Sequence, residues 1–376
     1  MGSAYTPGLT VTRDIVVHRR RRLPIEGDVL VSVGDKVGPT QVVARAMLPG
    51  PLQTIRLNEK LGVEAREVSS FMLVQVGDGV EPGQLVAETK GIFGKLFKSQ
   101  AFSDVAGVIE AVSEVTGHVL VREPSVPVEV GAYIAGTISE VEPNEGAVVE
   151  TRGAMVQGIF GVGGERHGLI RVAVAGPDLV LQASDVRDDD QGKILVGGSG
   201  VTYEAIEAAV RSGAAGIVVG AVKDVDLTKF LGYDIGVAIT GQEQIALTLV
   251  CTEGFGVLNM AGRTFELLQS LEGKDASING ATQIRAGVIR PEVIVPLETG
   301  SGNVAEEGAS GGALEIGVSI RVIREPYFGL LGKVTDLPST LVKVDSGAEV
   351  RVLRAQLDDG RDVTVPRANV EIIVAQ

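Results

Sequence analysis

Apolar residues alternate with polar ones, or gather in short runs, through the first 160 positions: DVLVSV, FMLVQV, LVAET, HVLV and AVVE. Gly-Asp, Pro-Gly and Thr-Gly pairs separate these runs. A period of two broken by turn residues predicts short strands, and hence an all-β region over 1–160. Between 161 and 300 the pattern changes. KILVGGSG leads into VTYEAIEAAVRSGAAG and then IVVGAV, which reads as strand, Gly-rich turn, amphipathic helix and strand. Ile206, Ala209 and Val210 share one helical face, and Gly213 stands where a C-cap is expected. A helix over 224–231, a strand over 235–239, a strand through TLVCTEGFG and a helix through MAGRTFELLQSLEG up to Gly273 complete a small α/β domain with a partly parallel sheet. Asn279-Gly280 reads as a hairpin turn. The polar stretch SGNVAEEGASGGA, 301–313, predicts a linker, and strands return over 314–376.

Within the first region the chain repeats itself. VGDKVGPTQVVARA at 33–46 and VGDGVEPGQLVAET at 76–89 share Val, Gly, Asp, Val, Pro, Gln, Val and Ala in register. AGVIEAVSEVTGHV at 106–119 and AGTISEVEPNEGAV at 135–148 both fit AG-x-I-x-x-V-x-x-x-x-G-x-V. Such repeats mark structural units that are copied and packed together. Gly-Asp supplies a tight turn, and the following Pro turn sends the chain into the next strand.

Composition narrows the function classes. A chain of 376 residues is too long for one average core, so several domains are expected. Its 50 glycines, about twice the usual share, are spread along the chain and fit many turns between short strands. A formal net charge of −14 disfavours general affinity for phosphate backbones. The basic run Arg19 to Arg22, beside His18, reads as a solvated strand end or an anchor for an acidic neighbouring surface. The single cysteine, Cys251, excludes an internal disulfide and a Cys-based zinc site. No signal-peptide pattern opens the chain and no apolar stretch of about 18 residues occurs, so a cytoplasmic protein is expected.

The order GD-x-V-x-x-G-Q-x-(L/V)-A followed by AG-x-I-x-x-V-x-x-x-x-G-x-V resembles the biotinyl/lipoyl-like barrel-sandwich hybrid, two interlocked half-motifs in a flattened barrel. Similar modules occur in carrier domains, in efflux adaptor proteins and at the front of some membrane oxidoreductase subunits. The order here implies nesting: residues 71–121 form one module, and 28–50 with 133–150 close a second around it. Near the C-terminus, VSIRVIREPYFGLLGKVTDLP resembles the KOW motif, through the apolar run into Pro326-Tyr327-Phe328-Gly329 and then Leu331-Gly332-x-Val334; it departs from the usual pattern at Glu325. That resemblance implies an SH3-like barrel. The expected fold is therefore mixed and multidomain: an all-β barrel-sandwich hybrid region over 1–160, an α/β domain over 161–300, a linker over 301–313 and a KOW-like SH3 barrel over 314–376.

Several side chains are candidates for chemistry. The resemblance to carrier domains points to a modified lysine at the hairpin between half-motifs, where Lys90 stands; the hairpin lacks the carrier signature, and GIFGKLFKSQAF reads rather as an apolar loop packing on a partner through Phe93, Leu96 and Phe97. Gly197-Gly198-Ser199-Gly200 lies between a strand and a helix N-terminus, where backbone N–H groups favour anions; it lacks a complete dinucleotide fingerprint and reads otherwise as a tight turn. The run from Gly158 to Gly168, with His167, reads as an anion loop or a junction needing sharp turns. Asp185, Asp188, Asp189 and Asp190 lack the alternation of a calcium loop and read as a solvated turn. Cys251 reads as a buried small hydrophobe. Tyr327, Phe328 and Arg324 would suit stacking on RNA, but Lys/Arg and Asp/Glu balance over 317–376; the aromatics otherwise complete the barrel or meet a protein.

The sequence thus points to a non-enzymatic scaffold or self-assembling subunit built from docking modules, with no cofactor, no metal and no catalytic residue expected, and with self-association or another protein as partner. Two alternatives remain open: a KOW-type factor binding the translation or transcription machinery, and a carrier or nucleotide-binding enzyme subunit.

Overall fold

Both copies of the Gly-Asp repeat fold the same way in the computed structural model, which describes residues 9–90, 98–233, 245–282, 289–297, 314–322, 326–327, 330–343 and 349–372. Gly34 and Gly77 take left-handed φ values of 92° and 97°, which a side chain would resist. The aspartate after each glycine accepts from a backbone N–H three residues earlier, Asp35 from Ser32 at 2.8 Å and Asp78 from Gln75 at 2.7 Å, an Asx-type closure of the turn. The Gly34 N–H donates to the Ile138 carbonyl and the Gly77 N–H to that of Ile109, both at 2.8 Å, while Ile138 and Ile109 donate back to Asp35 and Asp78, both at 2.9 Å. Each first-half segment is thereby clamped to one second-half segment. The first copy takes the more distant partner and the second copy the nearer one, so the strand pairing is nested.

The inner unit spans 52–122. Its four-stranded sheet runs Leu52–Arg56, His118–Arg122, Gly107–Val112, Gly79–Val80, and a second pair joins Leu85–Glu88 to Gln100–Phe102. Short helices Leu57–Leu61 and Val68–Phe71 pack beside these strands, with Leu57, Leu61 and Val68 buried. Leu57, Val68, Val86, Ile109, Val119 and Val121 form its buried core. This unit is inserted into the outer one at a two-strand ribbon, Val42–Leu48 against Val126–Gly131, with Leu48 opposite Val126. The outer core holds Ile15, Val17, Val43, Ile134, Ile138, Val149 and Met155, and also Ile294 from far along the chain.

That last residue marks how the remainder attaches. The strand Gly146–Gln157 has Val11–Arg22 along one edge. Its other edge is shared: the first part pairs with Gly136–Glu142, and the last part with Glu292–Pro296. An eleven-stranded sheet therefore runs straight through position 160. Beyond Glu292–Pro296 it continues through Asp275–Asn279 to Arg166–Val172, Ile194–Val196, Gly216–Val222 and Thr248–Phe255, and ends at Phe160–Val162. The four strands from Arg166–Val172 to Thr248–Phe255 are mutually parallel.

Local signals set the helices. Thr202 caps Tyr203–Ser212 by accepting from the Ala205 N–H at 3.2 Å, and Gly213 ends it at φ 76°. Ala205, Ile206 and Ala209 are buried, with Val210 packed beside them. Asp224–Leu231 is helical as the pattern predicts, and the strand expected over 235–239 lies outside the described residues. The helix Gly262–Ser270 stops short of Gly273. Asn279 pairs with Glu292, so a longer connection replaces the expected Asn279-Gly280 hairpin turn.

Residues 301–313 lie outside the described residues. The C-terminal region forms its own six-stranded antiparallel sheet, from Ser319–Val322 to Val370–Ile372, around Ile320, Val334, Leu353, Ala355 and Val365. Among the described residues, no helix is long and apolar enough to cross a membrane.

Candidate functional site

Among the described residues, those singled out by sequence are not brought together. Lys90 is exposed beyond the Leu85–Glu88 strand; Phe93, Leu96, Phe97, Arg324 and Phe328 lie outside the described residues. Glu88, beside Lys90, is held by Lys98 at 2.5 Å and Gln100 at 2.7 Å. These bonds, led by the one from Lys98, lower the Glu88 pKa.

Gly197 to Gly200 is a buried turn. The Gly197 N–H donates to the Val218 carbonyl and that of Ser199 to Leu179, both at 2.9 Å, and the Ser199 hydroxyl donates to the Asp178 carbonyl at 2.8 Å. A cradle for an anion needs such groups turned outward; here they knit the turn to neighbouring strands. The Gly158–Gly168 run supplies the strand Phe160–Val162 and the start of Arg166–Val172. Cys251 is buried, and burial pushes its thiol pKa up. Tyr327 is half-buried against the C-terminal core, with the Arg361 guanidinium 5.5 Å from its ring centre. Among the described residues, no group of three or more His, Cys, Asp or Glu is placed to hold a metal.

The aspartate run divides. Asp188 and Asp189 are exposed, but Asp190 is fully buried. Its Oδ2 accepts from Arg171 at 2.6 Å and from the Arg187 N–H at 2.8 Å, so the solvated turn expected for all four carboxylates does not hold at Asp190. An arginine nineteen residues upstream in the parallel sheet claims it, because a buried carboxylate without a partner is costly.

The strongest cluster of polar side chains lies at the seam where the outer unit meets the central strands. Arg19 to Arg22 end the strand Val11–Arg22, so successive side chains point to opposite faces. Arg19 forks onto Glu292, with Nε donating to Oε1 at 2.8 Å. Arg21 forks onto Glu165 with both bonds at 2.6 Å, and its Nε donates to the Gly131 carbonyl at 2.7 Å. Arg20 meets Glu142 at 3.0 Å, Arg22 meets Glu145, and His18 meets Glu150 at 3.0 Å. Between the two forks stands Tyr133, which sequence reasoning missed. It is buried, holds a left-handed φ of 68°, donates to Glu292 Oε1 at 3.2 Å and lies 5.4 Å under the Arg21 guanidinium. Burial, then the Glu292 charge, raises its phenol pKa well above the ordinary value. Ser277 donates to the Tyr133 carbonyl at 2.6 Å.

This cluster joins segments 19–21, 131–133, 165, 277 and 292. Both Glu292 oxygens are committed to Arg19, and one also to Tyr133, which suits a staple between strands rather than proton transfer to a substrate. The arginine run anchors to acidic neighbours, one of the two readings its sequence left open. No protein-family model matches the chain, and a search of curated proteins finds no match.

Proposed function

We propose that this chain is a scaffold or self-assembling structural subunit built from docking modules. One observation carries the reading: both copies of the repeat keep the same pair of apolar side chains in solvent. Leu30 and Val33 are 50% and 65% exposed, and their counterparts Leu73 and Val76 are both 60% exposed. Between them, Val31 and Val74 are both buried at 9%. The intervening exposed position changes from Ser32 to Gln75, whereas the exposed leucine and valine do not change. Two matching apolar patches give each chain two like contact points, which suits an assembling subunit.

The nested pairing and the turn geometry support reading residues 28–150 as two barrel-sandwich hybrid modules, one inside the other. The six antiparallel strands at the C-terminus support the SH3-like reading. The seam of forked ion pairs would hold the modules in one orientation, which a building block needs.

Light scattering behind size exclusion tests this. The expected result is a discrete multiple of the 39.1 kDa chain mass, reduced toward a single chain by Val33→Asp with Val76→Asp. A wild-type monomer across the accessible concentration range would overturn it.

A further inference from the structure

The two copies of the repeat fold alike but leave different surfaces beside the same register pair. In the outer unit Lys36 lies opposite Thr137. In the inner unit the equivalent pair is Gly79 opposite Val108. Opposed residues of an antiparallel ladder put their side chains on one face. Where the outer copy has a lysine stem beside a threonine, the inner copy therefore has bare backbone beside a valine, and Val108 is 46% exposed. Local geometry does not require this glycine: its φ lies outside the left-handed region, and a Cβ would meet nothing nearer than the Gly107 carbonyl at 3.9 Å. Two further differences act at the same place. Gly38 of the outer copy becomes Glu81, and Ser139 becomes Glu110.

At this place the inner unit has an open groove of about 520 Å³. Val108 lines it among Glu81, Glu110 and Glu123. Arg122 is there too, but its Nη2 donates to Glu110 at 2.7 Å and its Nη1 to the Gly50 carbonyl at 3.0 Å. Three carboxylates against one engaged guanidinium leave the groove acidic around an apolar patch.

We propose that this groove docks an extended segment of a basic partner protein. An apolar side chain of the segment rests on Val108, lysine or arginine side chains on either side meet Glu81 and Glu123, and the bare backbone at Gly79 allows close approach. Charge selects this occupant. A second copy of a chain at net charge −14 brings the wrong sign, and so does a nucleic-acid phosphate. Docking of such a segment is distinct from self-assembly and is read out separately.

Fluorescence anisotropy tests it, using a labelled peptide that alternates valine with lysine and arginine, and a counterpart carrying glutamate at the basic positions. Wild-type protein should bind the first and not the second. Gly79→Lys, which restores the outer copy's residue, should weaken binding by about tenfold or more. Gln269→Lys, which adds the same charge on the exposed side of the helix Gly262–Ser270, should bind as wild type does. Absence of wild-type binding, equal binding by Gly79→Lys, or an equal loss in Gln269→Lys would each overturn the proposal. Light scattering of Gly79→Lys should match wild type, so either reading can fail without the other.

Discussion

Val37 faces Gly136 in the outer unit in the register in which Val80 faces Gly107 in the inner one. Neither glycine has a left-handed φ; both are needed because another strand passes too close. A Cβ on Gly136 would lie 2.2 Å from the Glu150 carbonyl oxygen, and one on Gly107 would lie 2.3 Å from that of Arg122. Gly136→Ala and Gly107→Ala should each destabilise the protein by roughly 2 kcal/mol or more, because backbone must move. Gly79→Ala, with open space around it, should stay within about 0.5 kcal/mol. Urea titrations of the three variants check this order.

The seam should be sensitive to its carboxylate. Arg19 and Glu292 side chains are only 17% and 9% exposed. Glu292→Ala removes a mostly desolvated partner from the guanidinium and should cost about 3 kcal/mol. Tyr133→Phe deletes only the phenol hydrogen bond and should cost about 1 kcal/mol. Because both act through Glu292, the double variant should cost less than the sum of the two. Chemical denaturation of the three proteins measures the coupling.

Acid should loosen the β units from their surfaces inward. Bonding to Arg152 holds the Asp14 pKa below the ordinary value, bonding to Lys98 and Gln100 does so for Glu88, and bonding to Arg122 does so for Glu110. A carboxylate depressed in the folded state contributes stability that is full above its unfolded pKa and lost as pH falls through the folded one. These contributions are thus intact at neutral pH and disappear below the ordinary values of 3.8 for Asp and 4.5 for Glu. Thermal unfolding followed from pH 7 downward should show a flat midpoint and then a fall in that acidic range. Glu110→Gln should be less stable at neutral pH and show a shallower acid limb; an identical limb would contradict this assignment.

Cys251 should be silent until the sheet opens. It is buried in the parallel strand Thr248–Phe255 with a raised thiol pKa, and the thiolate is the reactive form. A thiol reagent at neutral pH should label native protein negligibly and denatured protein fully. The labelling rate at rising urea would report opening of the central sheet.

The repeats made the nested pairing legible, because Gly34-Asp35 and Gly77-Asp78 dictate turns whose hydrogen bonds land on fixed partners. Thr202, Gly213 and the Ile206 face made the first long helix legible for similarly local reasons. The continuous sheet was not legible. Gly146–Gln157 carries no mark showing that its last residues pair with Glu292–Pro296, since that register is set between strands far apart in sequence. Tyr133 was hidden for another reason: no local signal announces a left-handed tyrosine, which is tolerated because the Arg21 contact and the bond to Glu292 surround it. Asp190 looked like its exposed neighbours because burial is decided by Arg171, on the strand Arg166–Val172.

The insertion of the inner unit also sets an order of events on the ribosome. Residues 52–122 can close on themselves while the chain is still emerging. The strand Val11–Arg22, synthesised first, has no pairing partner beside Ile15 and Val17 until Gly146–Gln157 appears. Arg19 waits longer still, for a carboxylate 273 residues downstream. The chain is therefore finished from its middle outward, and the first strand made is among the last to be locked in place.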